Sequence, residues 1–232
     1  MPWQNYTELV QRITCQRNMQ KQKLREIQIE DRKRQHVHVR APAGAGKTFV
    51  ALHYILGKLL KSDGAGARKG GNEGYVLFVA RNRPLAFFVA RWIWARIENE
   101  APSKKRHVWK HLHILTAPAD DGDDDAEERG GPPLIPFTVS VDQEDQKIVF
   151  KPIVTIGGGQ LGDATLAKSI YDLVVIDEAH HVYRDAALAD FVEMTYMRHF
   201  EGQRVVLSDM SQALTGEIKY PDDMKGQLTL ES

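Results

Sequence analysis

Ala41-Pro42-Ala43-Gly44-Ala45-Gly46-Lys47-Thr48 sits between the alternating run His36-Val37-His38-Val39-Arg40 and a stretch in which Phe49, Leu52, Ile55, Leu56, Leu59 and Leu60 recur at helical spacing. Alternation has the period of a strand, and recurrence at three and four has that of an amphipathic helix. The octet is therefore the turn of a strand–loop–helix unit. Small residues let backbone N–H groups close around phosphate oxygens, and the helix that begins at Gly46-Lys47 aims its positive end at the same point. Lys47 adds a mobile point charge suited to β- and γ-phosphates, and Thr48 adds a hydroxyl suited to Mg²⁺. The octet fits the P-loop pattern, with Ala41 in place of the first glycine. It predicts a nucleoside triphosphate site, for ATP with Mg²⁺, lined by Ala43, Gly44, Ala45, Gly46, Lys47 and Thr48.

Downstream, Tyr75-Val76-Leu77-Phe78-Val79-Ala80 is apolar without alternation, as in a strand buried on both faces. Pro84 marks a helix start, followed by an apolar stripe of Leu85, Phe88, Val89, Trp92, Ile93 and Ile97. Leu112 to Thr116, Leu173 to Ile176 and Arg204 to Ser208 read as further core strands, with helices over 163–170 and 186–200. Phe137 to Val141 and Ile148 to Phe150 flank a polar turn, as in a β-hairpin. Strands alternating with helices predict an α/β fold, a parallel sheet covered by helices on both faces. The expected organisation is one nucleotide-binding domain over 1–232. It carries a helical, polar N-terminal extension over 1–34 and an insertion over 101–160 that holds an acidic loop and the hairpin.

Leu173-Val174-Val175-Ile176-Asp177-Glu178-Ala179-His180 is the second chemistry-bearing stretch. An apolar strand that ends in two acids delivers them to the carboxyl edge of the sheet, where open α/β sheets bind ligands. Asp177 is placed to hold Mg²⁺ through water, and Glu178 to orient and activate the attacking water. His180 and His181 read either as a relay or as capping groups.

The 232 residues carry 31 basic and 31 acidic side chains, so net charge selects no partner. The distribution is uneven. Residues 1–48 hold ten Lys/Arg against four Asp/Glu, and residues 120–128 hold seven acids. The first is a basic surface able to face nucleic acid or solvent, and the second reads as a solvated loop rather than a cation site. The one cysteine, Cys15, excludes an internal disulfide. No run is long and apolar enough to span a bilayer, and the N-terminus lacks the pattern of a secretory signal. An intracellular location, cytoplasmic or nuclear, is the expectation.

Four segments, in order, resemble the first RecA-like motor domain of superfamily 1 helicase-like ATPases, and among them the Schlafen-type helicase domains. They are the P-loop, Phe78-Val79-Ala80-Arg81-Asn82, Asp177-Glu178-Ala179-His180, and Leu207-Ser208-Asp209-Met210-Ser211-Gln212. The resemblance covers about residues 20–230, apart from 101–160. It implies that the second segment touches nucleic acid, DNA or RNA. It also implies that Gln212 senses the γ-phosphate, as a catalytic residue beside Lys47 and Glu178. Ser208 stands where the family has glycine.

Such helicases read adenine with a glutamine ahead of the P-loop, for which Gln20, Gln22 and Gln28 are candidates. They also use arginines from a second motor domain, which the 232 residues do not contain, so that domain or a protein partner is expected to complete the site. Arg184 is the nearest substitute within the chain. Trp92, Trp94 and Trp109 are candidates for stacking on bases, with Trp92 the most core-like. The competing reading is a P-loop switch NTPase that acts through a protein partner without unwinding.

Overall fold

A computed structural model describes residues 18–27, 36–61, 74–117, 134–142, 147–153, 155–156, 159–160, 171–197, 200, 202–209 and 226–229. Of the expected N-terminal extension it describes a helix over 18–27, here α1. β1 (Val37–Ala41) leads through the P-loop into α2 (Lys47–Lys61). β2 (Tyr75–Val79), α3 (Arg83–Ile97), α4 (Pro102–His111) and β3 (Leu112–Thr116) follow. Then come β4 (Ile135–Val141), β5 (Ile148–Pro152) and the short pair β6 (Thr155–Ile156) and β7 (Gly159–Gln160). β8 (Tyr171–Ile176) precedes α5 (Ala179–Arg184) and α6 (Ala186–Val192), which runs into a π-helical turn (Glu193–Met197). β9 (Gln203–Asp209) and β10 (Gly226–Thr229) close the sequence of elements. The helix expected over 163–170, the acidic run at 120–128, Gln28 and Gln212 lie outside the described residues.

The main sheet has eight strands in the order β10-β1-β9-β8-β2-β3-β4-β5. The first six run parallel, β4 runs antiparallel to β3, and β5 runs antiparallel to β4. β9 lies between the P-loop strand and β8, the strand that ends in the two acids. The expected hairpin is present, and it continues the main sheet because β4 pairs with β3. α4 and β3, although they fall within 101–160, belong to the core of the sheet.

Period-two alternation assigns each buried strand to two faces. Val39, Val76, Phe78, Leu173, Val175 and Leu207 pack under α1 to α4, together with Ile27, Leu52, Val89 and Val108. Leu77, Val79, Val174, Ile176 and Val206 pack under α5, α6 and the π turn, together with Val182, Val192 and Tyr196. The two-sided burial is why the strands read as unbroken apolar runs.

Local chemistry sets the helix ends. Asn82 adopts an extended conformation and accepts a hydrogen bond from Leu85 N at 3.0 Å, with Pro84 inside the first turn. A cap of this kind is worth about 1 kcal/mol. Asp185 does the same for α6, accepting from Leu188 N at 3.1 Å.

The apolar stripes differ from expectation in two places. Phe49 and Phe88 were assigned to the buried faces of α2 and α3, and both stand out into solvent. Spacing of three and four cannot separate the rim of a stripe from its centre. The tryptophans go the other way. Trp92 is buried, and Trp94 and Trp109 are half-buried against the same core. Burial therefore withdraws Trp92 as a free stacking surface.

Candidate nucleotide site

The carboxyl ends of β1, β8 and β9 bring the predicted groups together. β1 ends at Ala41, and the chain turns through Gly44 and Gly46, whose φ values of 76° and 84° lie in the left-handed region open to glycine. Lys47 opens α2 and is only 6 % exposed, with its ammonium donating to Ala41 O and Pro42 O at 3.0 Å each. Thr48 Oγ1 donates to Asp177 Oδ2 at 2.7 Å, which joins the P-loop to the end of β8. Asp177 Oδ1 accepts from Glu178 N at 2.9 Å.

Asp177 is fully buried, and burial pushes its pKa up to about 6. The hydrogen bonds from Thr48 and the Glu178 amide, and the nearby Lys47 charge, oppose the shift, while the Glu178 charge adds to it. Buried carboxylate and hydroxyl oxygens this close are hard donors. They fit Mg²⁺, which takes few protein ligands and keeps most of its waters.

Glu178 is the one non-glycine residue with positive φ among the described residues, at φ 50° and ψ 41°. A left-handed conformation costs a residue with a Cβ about 1–2 kcal/mol. It turns the chain sharply from β8 into α5 and leaves the Glu178 side chain 40 % exposed, within reach of a solvent water.

Behind it His180 is fully buried. Its Nδ1 accepts from Asp209 N at 3.5 Å, so the neutral ring carries its proton on Nε2, which lies 3.3 Å from Glu178 Oε2. The alignment is too poor for a hydrogen bond, and Nε2 has no such partner. Glu178, His180 and His181 have potential ligand atoms within 4.8 Å of one another, but a protonated Nε2 does not ligate a metal. His180 thus lies between Glu178 and the end of β9.

Of the three candidate glutamines, Gln20 is the one at the loop: its carboxamide packs so close to Gly46 that a Cβ there would collide with it. Gln22 instead donates to Glu26 Oε1 at 3.0 Å. The contact between α1 and the P-loop spans 26 residues of sequence, which is why spacing left it open. Arg81 and Asn82 follow β2 at the same sheet edge and are exposed. Arg184 ends α5, also exposed.

The buried groups also fix how stability responds to acid. Burial lowers the His38 pKa to about 4, with help from Arg40, and burial with help from His111 lowers that of His113 to about 4. His38 pairs with Ser208 Oγ at 2.7 Å and His113 with Tyr171 OH at 2.9 Å. An imidazole with a depressed folded pKa costs stability as pH falls below its unfolded value, because the unfolded chain takes up the proton first. Asp177, with its raised pKa, acts oppositely over the same range.

Two imidazoles against one carboxyl leave a net loss of about 1.4 kcal/mol per pH unit as pH falls from about 6 to about 4. His53 and His181, lowered in the same direction, steepen it. Urea unfolding across this range should show the fall, and His113→Gln should make it shallower by about 1.4 kcal/mol per unit.

A glycine loop with a buried lysine, hydrogen-bonded through Thr48 to a strand-end carboxylate and with one strand interposed, defines a P-loop nucleotide-binding domain. The family model described as type III restriction enzyme, res subunit, matches residues 14–205, and the chain belongs to that family. Among curated proteins nothing matches. Among solved structures the chain is similar to the Pyrococcus furiosus Hef helicase domain, at 17% identity and a TM-score of 0.41, over 89% of this chain and 37% of that one. The chain thus spans little more than a third of that structure's length. No helix among the described residues is long and apolar enough to cross a membrane.

Proposed function

We propose that this chain is the ATP-binding motor domain of a nucleic-acid-dependent, helicase-like ATPase, with motifs that resemble the Schlafen-type domains among others. The observation that carries it is the 2.7 Å hydrogen bond between Thr48 and Asp177, which makes one site of two motifs 129 residues apart. The P-loop amides and Lys47 would hold the β- and γ-phosphates. Thr48 and Asp177 would hold Mg²⁺, which supplies charge neutralisation of the phosphate oxygens. Glu178 takes the proton of the attacking water as its oxygen bonds to the γ-phosphorus. The bond to the β–γ bridging oxygen breaks, and ADP and phosphate leave. Gln20, which lies against Gly46, is the candidate to read the base, and by the resemblance Gln212 would sense the γ-phosphate. Cations on the far side of the γ-phosphate would come from a second motor domain or a protein partner. An arginine in that role is worth about 10³–10⁵ in rate.

Steady-state hydrolysis by the 232-residue chain, with and without single-stranded DNA or RNA, tests this reading. Mg²⁺-dependent turnover below ~1 s⁻¹ that rises with added single strand is expected. Tight ATP binding with a rate indifferent to any nucleic acid would favour the P-loop switch instead.

A further inference from the structure

The rings that left the apolar stripes share a surface. Phe49, Phe87 and Phe88 are 40 %, 37 % and 41 % exposed, three of the four large exposed apolar side chains among the described residues. Phe87 and Phe88 stand on the outer face of α3 with Arg91 one turn on, also exposed, at the i+4 and i+3 positions between them. Phe88 meets Phe49 of α2 edge-on at 5.7 Å, and Phe87 meets Phe150 of the hairpin edge-on at 4.7 Å. The rings thus form a strip from the P-loop helix to the hairpin, and the one exposed charge between them is basic.

Here flat rings are interleaved with cation, and α3, from Arg83 to Ile97, has three arginines and no acid. Its N-terminus carries a guanidinium held among rings, with Arg83 5.2 to 5.7 Å from the centroids of Phe87, Phe137 and Phe150. That contact fixes the hairpin to α3 and keeps the strip in one piece.

Successive aromatic faces beside a basic track are what the bases and phosphates of a single strand require. We propose that the outer face of α3, with Phe87, Phe88 and Arg91 at its centre, is a binding surface for single-stranded nucleic acid. It is separate from the sheet-edge residues Arg81 and Asn82, and it extends the track away from the nucleotide. This rests on the nucleic-acid-dependent reading above.

Fluorescence anisotropy of labelled oligothymidylate and oligouridylate with the full chain tests it. Phe88→Ala and Phe87→Ala should each weaken binding about 5-fold or more, since stacking is lost one ring at a time. Phe88→Leu, which keeps the apolar volume without the ring face, should weaken it similarly, and Phe88→Trp should retain it. Arg91→Ala should lower the slope of log affinity against log salt by about one. ATP affinity should stay at the wild-type value, and Phe88→Leu and Phe88→Trp should stay folded at the assay temperature.

If the wild-type chain binds single strands and the Phe87→Ala/Phe88→Ala protein binds them equally well with the same salt slope, the surface is wrong and the ATPase reading stands. If the wild-type chain binds no single strand at all, both fall. Self-association of the wild type that these substitutions abolish, without any change in strand binding, would assign the strip to a protein contact and overturn the proposal.

Discussion

Lys47→Ala is expected to weaken Mg·ATP binding by at least about 100-fold while leaving a folded, cooperative protein. The ammonium is almost fully buried, yet its two hydrogen bonds go to carbonyls of its own loop rather than to a carboxylate. A buried ammonium that donates only to loop carbonyls can turn its hydrogen bonds to an arriving phosphate. Truncating one member of a buried charge pair commonly costs about 2–5 kcal/mol, or roughly 30- to 5000-fold in affinity. The fold should tolerate the loss, because Gly44, Gly46 and the α2 contacts set the course of the loop. The melting temperature should fall by only a few degrees, about what two hydrogen bonds are worth in a chain of this size. Calorimetric titration with ATP, read beside thermal unfolding, makes the comparison. Wild-type affinity in a folded Lys47→Ala protein would remove this loop from the nucleotide site.

Glu178→Gln should keep Mg·ATP affinity within a few-fold and lower the hydrolysis rate by about 10²–10⁴. Glutamine preserves the size and the left-handed backbone of the position but cannot accept the proton of the attacking water. Glu178→Gly separates conformation from chemistry. It relieves the strain at φ 50° and should raise stability by about 1 kcal/mol, yet it should be as inactive as the glutamine variant. Single-turnover hydrolysis with denaturant unfolding of both variants gives the two readouts. Hydrolysis by Glu178→Gln at the wild-type rate would move the general base elsewhere.

The groups nearest the chemistry were legible because local sequence makes them. A phosphate loop is built by consecutive backbone amides, and an acid pair at a strand end needs only its own strand. The α/β class followed from the same alternation of buried strands and helices. Gln20 at Gly46, the Asp209–His180 bond and the place of β9 between β1 and β8 are contacts across long stretches of chain, and no periodicity encodes them. Phe49 and Phe88 were misassigned for a different reason. A helix wheel scores a phenylalanine by polarity, but only neighbouring elements decide whether the rim of the stripe is covered.

The strand order has a consequence for synthesis. Among the described residues β1 pairs only with β9 and β10, so the strand that carries the P-loop gains these neighbours once residue 203 and beyond have been made. By then residues 75–176 can already have assembled β8, β2, β3, β4 and β5 as a sheet of their own. Pairings this distant in sequence form slowly, because the loop entropy is lost before the contacts return it. A nascent chain halted before β9 would display the whole phosphate-loop sequence and still hold no nucleotide. The strand that carries the P-loop is therefore among the last to join the sheet, and ATP is a ligand of the finished domain only.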